Sequence, residues 1–129
     1  MPDMTTSTKP DLSALLERVR NAKGGPDTAL GFDLAKAFES NGRRRVAQCN
    51  AVIEGSLNAE GSALFFFREK LPGWTMQLRI RPDGAHEAIA YEFDPPCRVV
   101  PKDGCIRGST PALALLATIL SALIAKGEG

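Results

Sequence analysis

The sequence predicts an α+β fold in which a small antiparallel sheet of about three strands packs with helices. The strand-like segments are grouped between residues 74 and 107. Strands grouped in this way are typical of antiparallel sheets, whereas alternation with helices would indicate parallel βαβ units. The last helix, residues 111–125, contains no charged residue, so other parts of a protein must cover nearly all of its faces.

The residues that flank this last helix mark its two ends. The Thr110 hydroxyl suits the N-cap, where it accepts a hydrogen bond from a first-turn N–H, and Pro111 suits the first helical position. Lys126 and Gly127 are typical of a helix C-terminus. The charge-free stretch of 15 residues falls short of the roughly 20 that span a bilayer. We therefore expect a core helix or an interface helix, and no membrane contact.

Two short amphipathic helices are predicted at the start of the chain. The apolar stripe of the first consists of Leu12, Leu15, Leu16 and Val19. The second begins after Asp27, and its stripe consists of Leu30, Leu34, Ala37 and Phe38. Both show the spacing of one helical face. Because each stripe is narrow, we expect the two helices to form a hairpin that docks on the rest of the domain.

The middle of the chain is less clear. Residues 46–53 allow either a short strand or an irregular connector. A helix is predicted from about residue 58 to 71, where Leu64, Phe67 and Leu71 have helical spacing. Gly61 weakens this helix by about 1 kcal/mol relative to alanine.

The clearest strand begins at Trp74 and shows strict alternation of apolar and polar residues. Its predicted buried face comprises Trp74, Met76, Leu78 and Ile80. A turn at residues 82–84 leads into a returning strand, residues 87–93, with Ile89, Tyr91 and Phe93 on one face. Two brief extended pieces follow at residues 97–100 and 105–107.

Length and charge define the class of protein. The chain has 129 residues, and we expect a flexible tail at residues 1–10 followed by one domain at residues 11–129. Sixteen basic and fifteen acidic residues give a net charge of +1, so no overall field directs the chain to nucleic acid or to a membrane. The first thirty residues lack an export signal, and we expect a cytoplasmic location.

Three segments, taken in order, carry a resemblance to a known family. They are Gly25-Pro26-Asp27 with Asp33-Leu34, Leu71-Pro72-Gly73-Trp74, and Thr110-Pro111-Ala112-Leu113-Ala114-Leu115. Together they resemble the phage ABA sandwich domain family, which consists of small proteins encoded in phages and prophages of bacteria. The resemblance covers about residues 12–126. Where members usually have Ser-x-Asp-Ala-Ala, this chain has Ala59-Glu60-Gly61-Ser62-Ala63. The resemblance implies an αβα-type sandwich, a bacterial host cell and an uncharacterised role, and it brings no catalytic residues.

Five arginines are candidates for contact with nucleic acid: Arg43, Arg44, Arg45, Arg79 and Arg81. Adjacent arginines can neutralise several phosphates and give salt-dependent binding. Acidic residues on the returning strand would partly cancel this charge. The element order after residue 58 resembles that of double-stranded RNA-binding domains, but those have a basic start to their last helix, which is absent here. Nucleic-acid binding is therefore the alternative function.

The sequence contains no pattern that predicts an enzyme, a cofactor or a small-molecule ligand. His86 has no candidate nucleophile at a motif spacing. Cys49, Cys97 and Cys105 lack the paired spacing of a zinc site, and we expect structural thiols that are buried or reduced. We accordingly expect no metal and no catalytic residue.

Protein–protein interaction is the favoured function. Three consecutive helical residues span about 200°, so at least one ring of residues 65–67 should reach the surface. Phe65 and Phe66 are the candidate interface residues. With the charge-free last helix, they indicate more apolar surface than a small monomer buries. We expect self-association or a stable complex with a host or phage protein. A three-layer monomer, in which the N-terminal helices cover the second face of the sheet, is the alternative.

Overall fold

A computed structural model describes residues 11–23, 25, 27–37, 43–55, 59–84, 86–92, 97–101 and 106–127, without the side chains of Arg43 and Arg44. The helices in these residues are α1 (Leu12–Asn21), α2 (Thr28–Ala37), α3 (Arg43–Glu54), α4 (Ala59–Lys70) and α5 (Pro111–Ala125). The strands are β1 (Trp74–Ile80), β2 (His86–Glu92), β3 (Val99–Val100) and β4 (Ile106–Gly108). The α+β class with a small antiparallel sheet is confirmed. The predicted tail, residues 1–10, lies outside the described residues.

Helix α5 is the centre of the fold. Residues 112–120 are all buried, because the sheet packs on one side of α5 and α1, α3 and α4 pack on the others. The predicted N-cap is present, with the Thr110 hydroxyl accepting a hydrogen bond from the Leu113 N–H at 3.1 Å. The layers are therefore the sheet, α5 and a layer of helices, with α5 in the middle. This order differs from the helix–sheet–helix order of the αβα-type sandwich that the resemblance implies, because α5 packs on one face of the sheet and the other described helices pack mainly on helices. Since one chain covers α5, our expectation that this helix needs a partner to bury it is wrong.

The two N-terminal helices contact each other, since the Arg18 guanidinium lies 2.7 Å from the Asp33 carboxylate, but each of them packs mainly on a later helix. Helix α1 packs mainly on α5, through Leu12, Leu15 and Val19, while α2 packs mainly on α3. The α2–α3 contact is close, because a Cβ on Gly31 would lie 2.9 Å from the Cγ of Asn50. Each helix thus buries much of its stripe against a later part of the chain, while Phe38 of the second stripe lies outside the described residues.

Helix α3 includes residues 46–53, so both predicted alternatives for this segment, a short strand and an irregular connector, are wrong. Cys49, Val52 and Ile53 are fully buried, and their i, i+3, i+4 spacing is that of a helical face. The β-branched side chains of Val52 and Ile53 favour a strand locally. Packing against α2 and α4 outweighs this weak local preference.

Helix α4 forms where it was predicted but is rotated relative to the expected face. The buried residues of α4 are Ala59, Ala63, Phe66 and Phe67, whereas Leu64 is 42% exposed. Phe65 is 47% exposed, so one ring of the phenylalanine run does reach the surface. The stripe passes through small alanines, which a search for large apolar residues overlooks.

Strand β2 is the central strand of the sheet. It pairs with β1 along seven residues, from Trp74–Glu92 to Ile80–His86, and with the shorter β3 and β4. Its residues Ala88 and Ala90 are fully buried under α5. Their small side chains allow the helix to approach the sheet closely.

The predicted buried face of β1 is only partly buried. Trp74 is buried and Met76 is half-buried, but Leu78 is 38% exposed and Ile80 is 66% exposed. All four side chains lie on the α5 side of the sheet, because they align with Ala88 and Ala90 in the register. Helix α5, however, lies mainly over β2 and β4 and barely reaches β1. The outer half of β1 therefore lies outside the core.

The buried thiol of Cys49 gives a pH-dependent prediction. Burial raises the pKa of Cys49 from 9.0 to about 12, which the nearby Arg45 only partly offsets. As pH rises past 9, the unfolded state loses this proton first, and stability falls. Between pH 8 and 10 the free energy of unfolding should decrease by about 1.4 kcal/mol more in the wild type than in Cys49→Ala. Urea denaturation at both pH values measures this, and equal pH slopes would contradict it.

Candidate interaction site

The outer edge of β1 carries Ile80, which at 66% is the most exposed large apolar residue of the described chain. Within the described residues, β1 pairs only with β2, so one side of its backbone lacks a neighbouring strand. Leu78 and Ile80 are exposed along this edge. An edge of this kind is where other polypeptide chains add a strand.

The hydrogen bonds of the sheet show which backbone groups of β1 face outward. The Glu92 N–H donates to the Arg98 carbonyl at 3.0 Å, so Glu92 directs its backbone groups away from β1. In an antiparallel ladder the direction of the backbone groups alternates from one residue to the next. The β1 residues that lie opposite even-numbered β2 residues therefore direct their backbone N–H and C=O groups outward. These residues are Trp74, Met76, Leu78 and Ile80. In agreement with this direction, the Trp74 N–H donates to the Leu71 carbonyl. The N–H groups of Met76, Leu78 and Ile80 lie along the open edge.

The two faces of β1 differ in chemistry. The α5 side carries the four apolar residues, while the other side carries Thr75, Gln77 and Arg79. On that second side, the Gln77 side chain donates to the Tyr91 hydroxyl at 3.4 Å, and Arg79 lies opposite Glu87. The strand therefore offers an apolar strip and a polar strip that contains one charge.

Charged contacts fix the beginning of β1. The Arg98 guanidinium lies 5.8 Å from the centre of the Trp74 ring, contacts the Glu92 carboxylate at 2.6 Å and donates to the Ala125 carbonyl at 3.2 Å. The hydrogen bond from the Arg98 side chain lowers the pKa of Glu92. These contacts join the beginning of β1 to β2 and to the end of α5.

The two arginines predicted to extend a phosphate-binding patch lie at the far end of β1, with Arg79 in the strand and Arg81 directly after it. Arg81 contacts the Glu87 carboxylate at 3.6 Å, and Arg107 contacts it at 3.1 Å. The Glu87 side chain is only 7% exposed. The acidic residue on the returning strand thus partly neutralises this cluster, as the sequence indicates.

The structure does not bring the five candidate arginines into one patch. Arg45 lies in the helical layer, and α5 separates this layer from the sheet that carries Arg79 and Arg81. The Arg45 side chain is 11% exposed and contacts Glu69 at 2.6 Å, and its guanidinium lies 5.1 Å from the centre of the Phe66 ring. Arg45 therefore belongs to an internal contact between α3 and α4. The side chains of Arg43 and Arg44 lie outside the described residues.

The two phenylalanines of the candidate interface have different environments. Phe66 is fully buried, which removes it from the candidate interface. Phe65 is exposed, as is the adjacent Leu64, and Arg45 lies 5.7 Å from the centre of the Phe65 ring. Phe65 and Leu64 form a small second apolar patch on α4.

An open cavity of about 680 Å³ lies between β3 and the end of α5, lined by residues that include Cys97, Arg98 and Ser121.

Cys97 is exposed, in contrast to the buried Cys49, and Cys105 lies outside the described residues. His86 begins β2 and is half-buried. Among the described residues, no group of His, Cys, Asp and Glu side chains has the arrangement of a metal site.

Sequence reasoning missed the open edge of β1 as a candidate site. A signal was present, since β1 is long and alternating while the segments after β2 are too short to pair with both strands.

None of the described helices has the length and hydropathy of a membrane span. Comparisons with protein-family models, with curated proteins and with solved structures find no match for this chain.

Proposed function

We propose that this chain is a non-enzymatic protein–protein interaction or accessory protein of phage or prophage type, which acts in the cytoplasm of a bacterial host. The observation that carries the proposal is the open edge of β1. Within the part of the chain that the structure describes, the seven residues of β1 are paired on one side only, and Leu78 and Ile80 are exposed beside this edge. The phage or prophage origin is supported by the three segments that resemble the phage ABA sandwich domain family.

The form of the edge supports binding of another polypeptide. Natural proteins block exposed edges with short strands, prolines, bulges or inward-pointing charges. Strand β1 has seven residues with an uninterrupted register, no proline, and one charge that lies on the polar side. The opposite edge, in contrast, consists of strands of two and three residues. The edge of β1 is therefore the one suited to accept a strand.

Photo-crosslinking in the native host cell tests this function. We expect a benzoylphenylalanine residue in place of Ile80 to form covalent adducts with a protein, because this position is the most exposed along the edge. The same residue in place of Glu17, which is exposed on α1, is the control and should give none. Equal adduct yields at both positions, or none at position 80, would contradict the proposal.

The nucleic-acid alternative has a separate test. We expect the wild-type chain to be washed from immobilised random-sequence DNA and RNA at about 0.15 M salt, where the Debye length is about 8 Å and exposed charges are screened. Arg43→Ala/Arg44→Ala is the appropriate comparison, since Arg45 also holds α3 to α4 through Glu69. Salt-sensitive retention of the wild type, lost in the double variant, would establish the alternative.

A further inference from the structure

We propose that a second copy of this chain occupies the open edge of β1, so that the two β1 strands pair antiparallel about a two-fold axis at Gln77. This inference rests on the proposed function and identifies the partner. The pairing would join two four-stranded sheets into one continuous sheet. A two-fold axis makes the interface isologous and closed, which is the commonest arrangement of soluble dimers.

Backbone geometry restricts the register of such a pair. The outward-pointing groups belong to the even-numbered residues of β1, so even-numbered residues must lie opposite even-numbered residues of the partner. An axis at Gln77 satisfies this condition and pairs every residue of β1 from Trp74 to Ile80. Moving the axis by one residue leaves only residues 74–78 or 76–80 paired. The axis at Gln77 therefore pairs the longest stretch of β1, although the Trp74 N–H, which donates to the Leu71 carbonyl, adds no hydrogen bond to the partner.

The apolar strip is self-complementary in this register. Met76 lies opposite the partner's Leu78, and Trp74 lies opposite the partner's Ile80. Leu78 and Ile80 are the exposed side chains at the end of each strand. Each of them would contact an apolar residue at the beginning of the other strand, where the side chains are more buried. Side chains that lie directly opposite are about 4.5–5.5 Å apart, so the pairing would cover both exposed residues.

The polar strip is compatible with the same register. Arg79, the only charged residue of β1, lies opposite the partner's Thr75, and Gln77 lies opposite the partner's Gln77. An axis at Arg79 would instead place two like charges directly opposite each other, which is destabilising. The charge of Arg79 thus excludes an axis at Arg79 and is compatible with the axis at Gln77, which pairs the longest stretch of the strand.

The interface is small, which determines the expected affinity. Seven residues at about 3.4 Å each form a strip roughly 24 Å long. A strip of this length that is only one strand wide covers less area than the about 800 Å² per partner of a standard interface. We therefore expect a reversible dimer at micromolar concentrations. Sedimentation velocity over about 1–500 μM should show the mass rising from 13.8 kDa toward 27.6 kDa, which is twice the chain mass. Leu78→Lys should remain at 13.8 kDa, and Glu17→Lys should dimerise like the wild type.

Cysteine crosslinking tests the register. In a Cys97→Ser/Cys105→Ser background, Gln77→Cys should form a covalent dimer when oxidised with diamide, which takes up the two protons and two electrons of the thiol pair. Opposite residues of a non-hydrogen-bonded pair have Cα atoms about 4.5 Å apart, within the range of a disulfide. Arg79→Cys is the matched control on the same face, because its two copies would lie about 14 Å apart and should not crosslink.

The outcomes separate this inference from the proposed function. A mass of 13.8 kDa at all concentrations, or equal crosslinking of Gln77→Cys and Arg79→Cys, would overturn the inference. Adducts from position 80 that contain a different protein would also overturn it while they support the proposed function. Circular dichroism of each variant, compared with the wild type, shows whether the chain remains folded.

Discussion

Leu116→Ala should lower the free energy of unfolding by about 2–5 kcal/mol. Leu116 lies in the middle of α5 and is fully buried, with the sheet on one side of the helix and the helical layer on the other. Truncation leaves a cavity that rigid neighbours on both sides fill incompletely. Because domains are typically stable by only 5–15 kcal/mol, the loss should be visible as a large shift of the urea midpoint.

Leu64→Ala is the control for this substitution. It removes the same atoms from α4, where the side chain is 42% exposed, and should cost less than about 1 kcal/mol. If the two variants had the same midpoint, or if Leu116→Ala unfolded like the wild type, the central position of α5 would be contradicted.

Gly108→Ala and Gly61→Ala should change stability in opposite directions. A Cβ on Gly108 would lie 2.8 Å from the Cα of Ala114 and 2.9 Å from the Leu113 carbonyl carbon. These are backbone atoms, so β4 and α5 would have to separate, at a cost of about 1–3 kcal/mol or more. A Cβ on Gly61 meets nothing within 4 Å, and alanine is favoured over glycine in a helix by about 1 kcal/mol.

The two glycine variants can be compared in one thermal-unfolding series with the wild type. We expect Gly61→Ala to melt above the wild type and Gly108→Ala to melt well below it. A Gly108→Ala variant as stable as the wild type would show that β4 does not contact the N-terminal turn of α5 as closely as the structure indicates.

The sequence predicts those elements whose signals are local. The bounds of α5 follow from its cap residues and lack of charge, and β1 follows from its alternation. The local sequence of an element does not show which other parts of the chain pack around it. The same lack of charge suggested that α5 needs a partner, yet the sheet and three helices cover it within one chain.

The candidate site shows the same limit. The alternation in β1 predicts which side chains share a face, but the position of α5 over β2 decides that Leu78 and Ile80 remain exposed. Likewise, three adjacent arginines suggest a surface cluster. The internal contact of Arg45 depends on Glu69 and Phe66, which the fold brings to it from α4.

Hydrogen exchange of the β1 amides at two protein concentrations tests the central claim that this strand's open edge is an interaction surface between two copies. The N–H groups of Met76 and Leu78 point away from β2, while those of Gln77 and Arg79 point toward it. We expect Gln77 and Arg79 to exchange slowly at about 5 μM and about 500 μM, and Met76 and Leu78 to exchange slowly only at the higher concentration. Rapid exchange of Met76 and Leu78 at both concentrations would contradict the account, because it would show that no strand pairs with this edge.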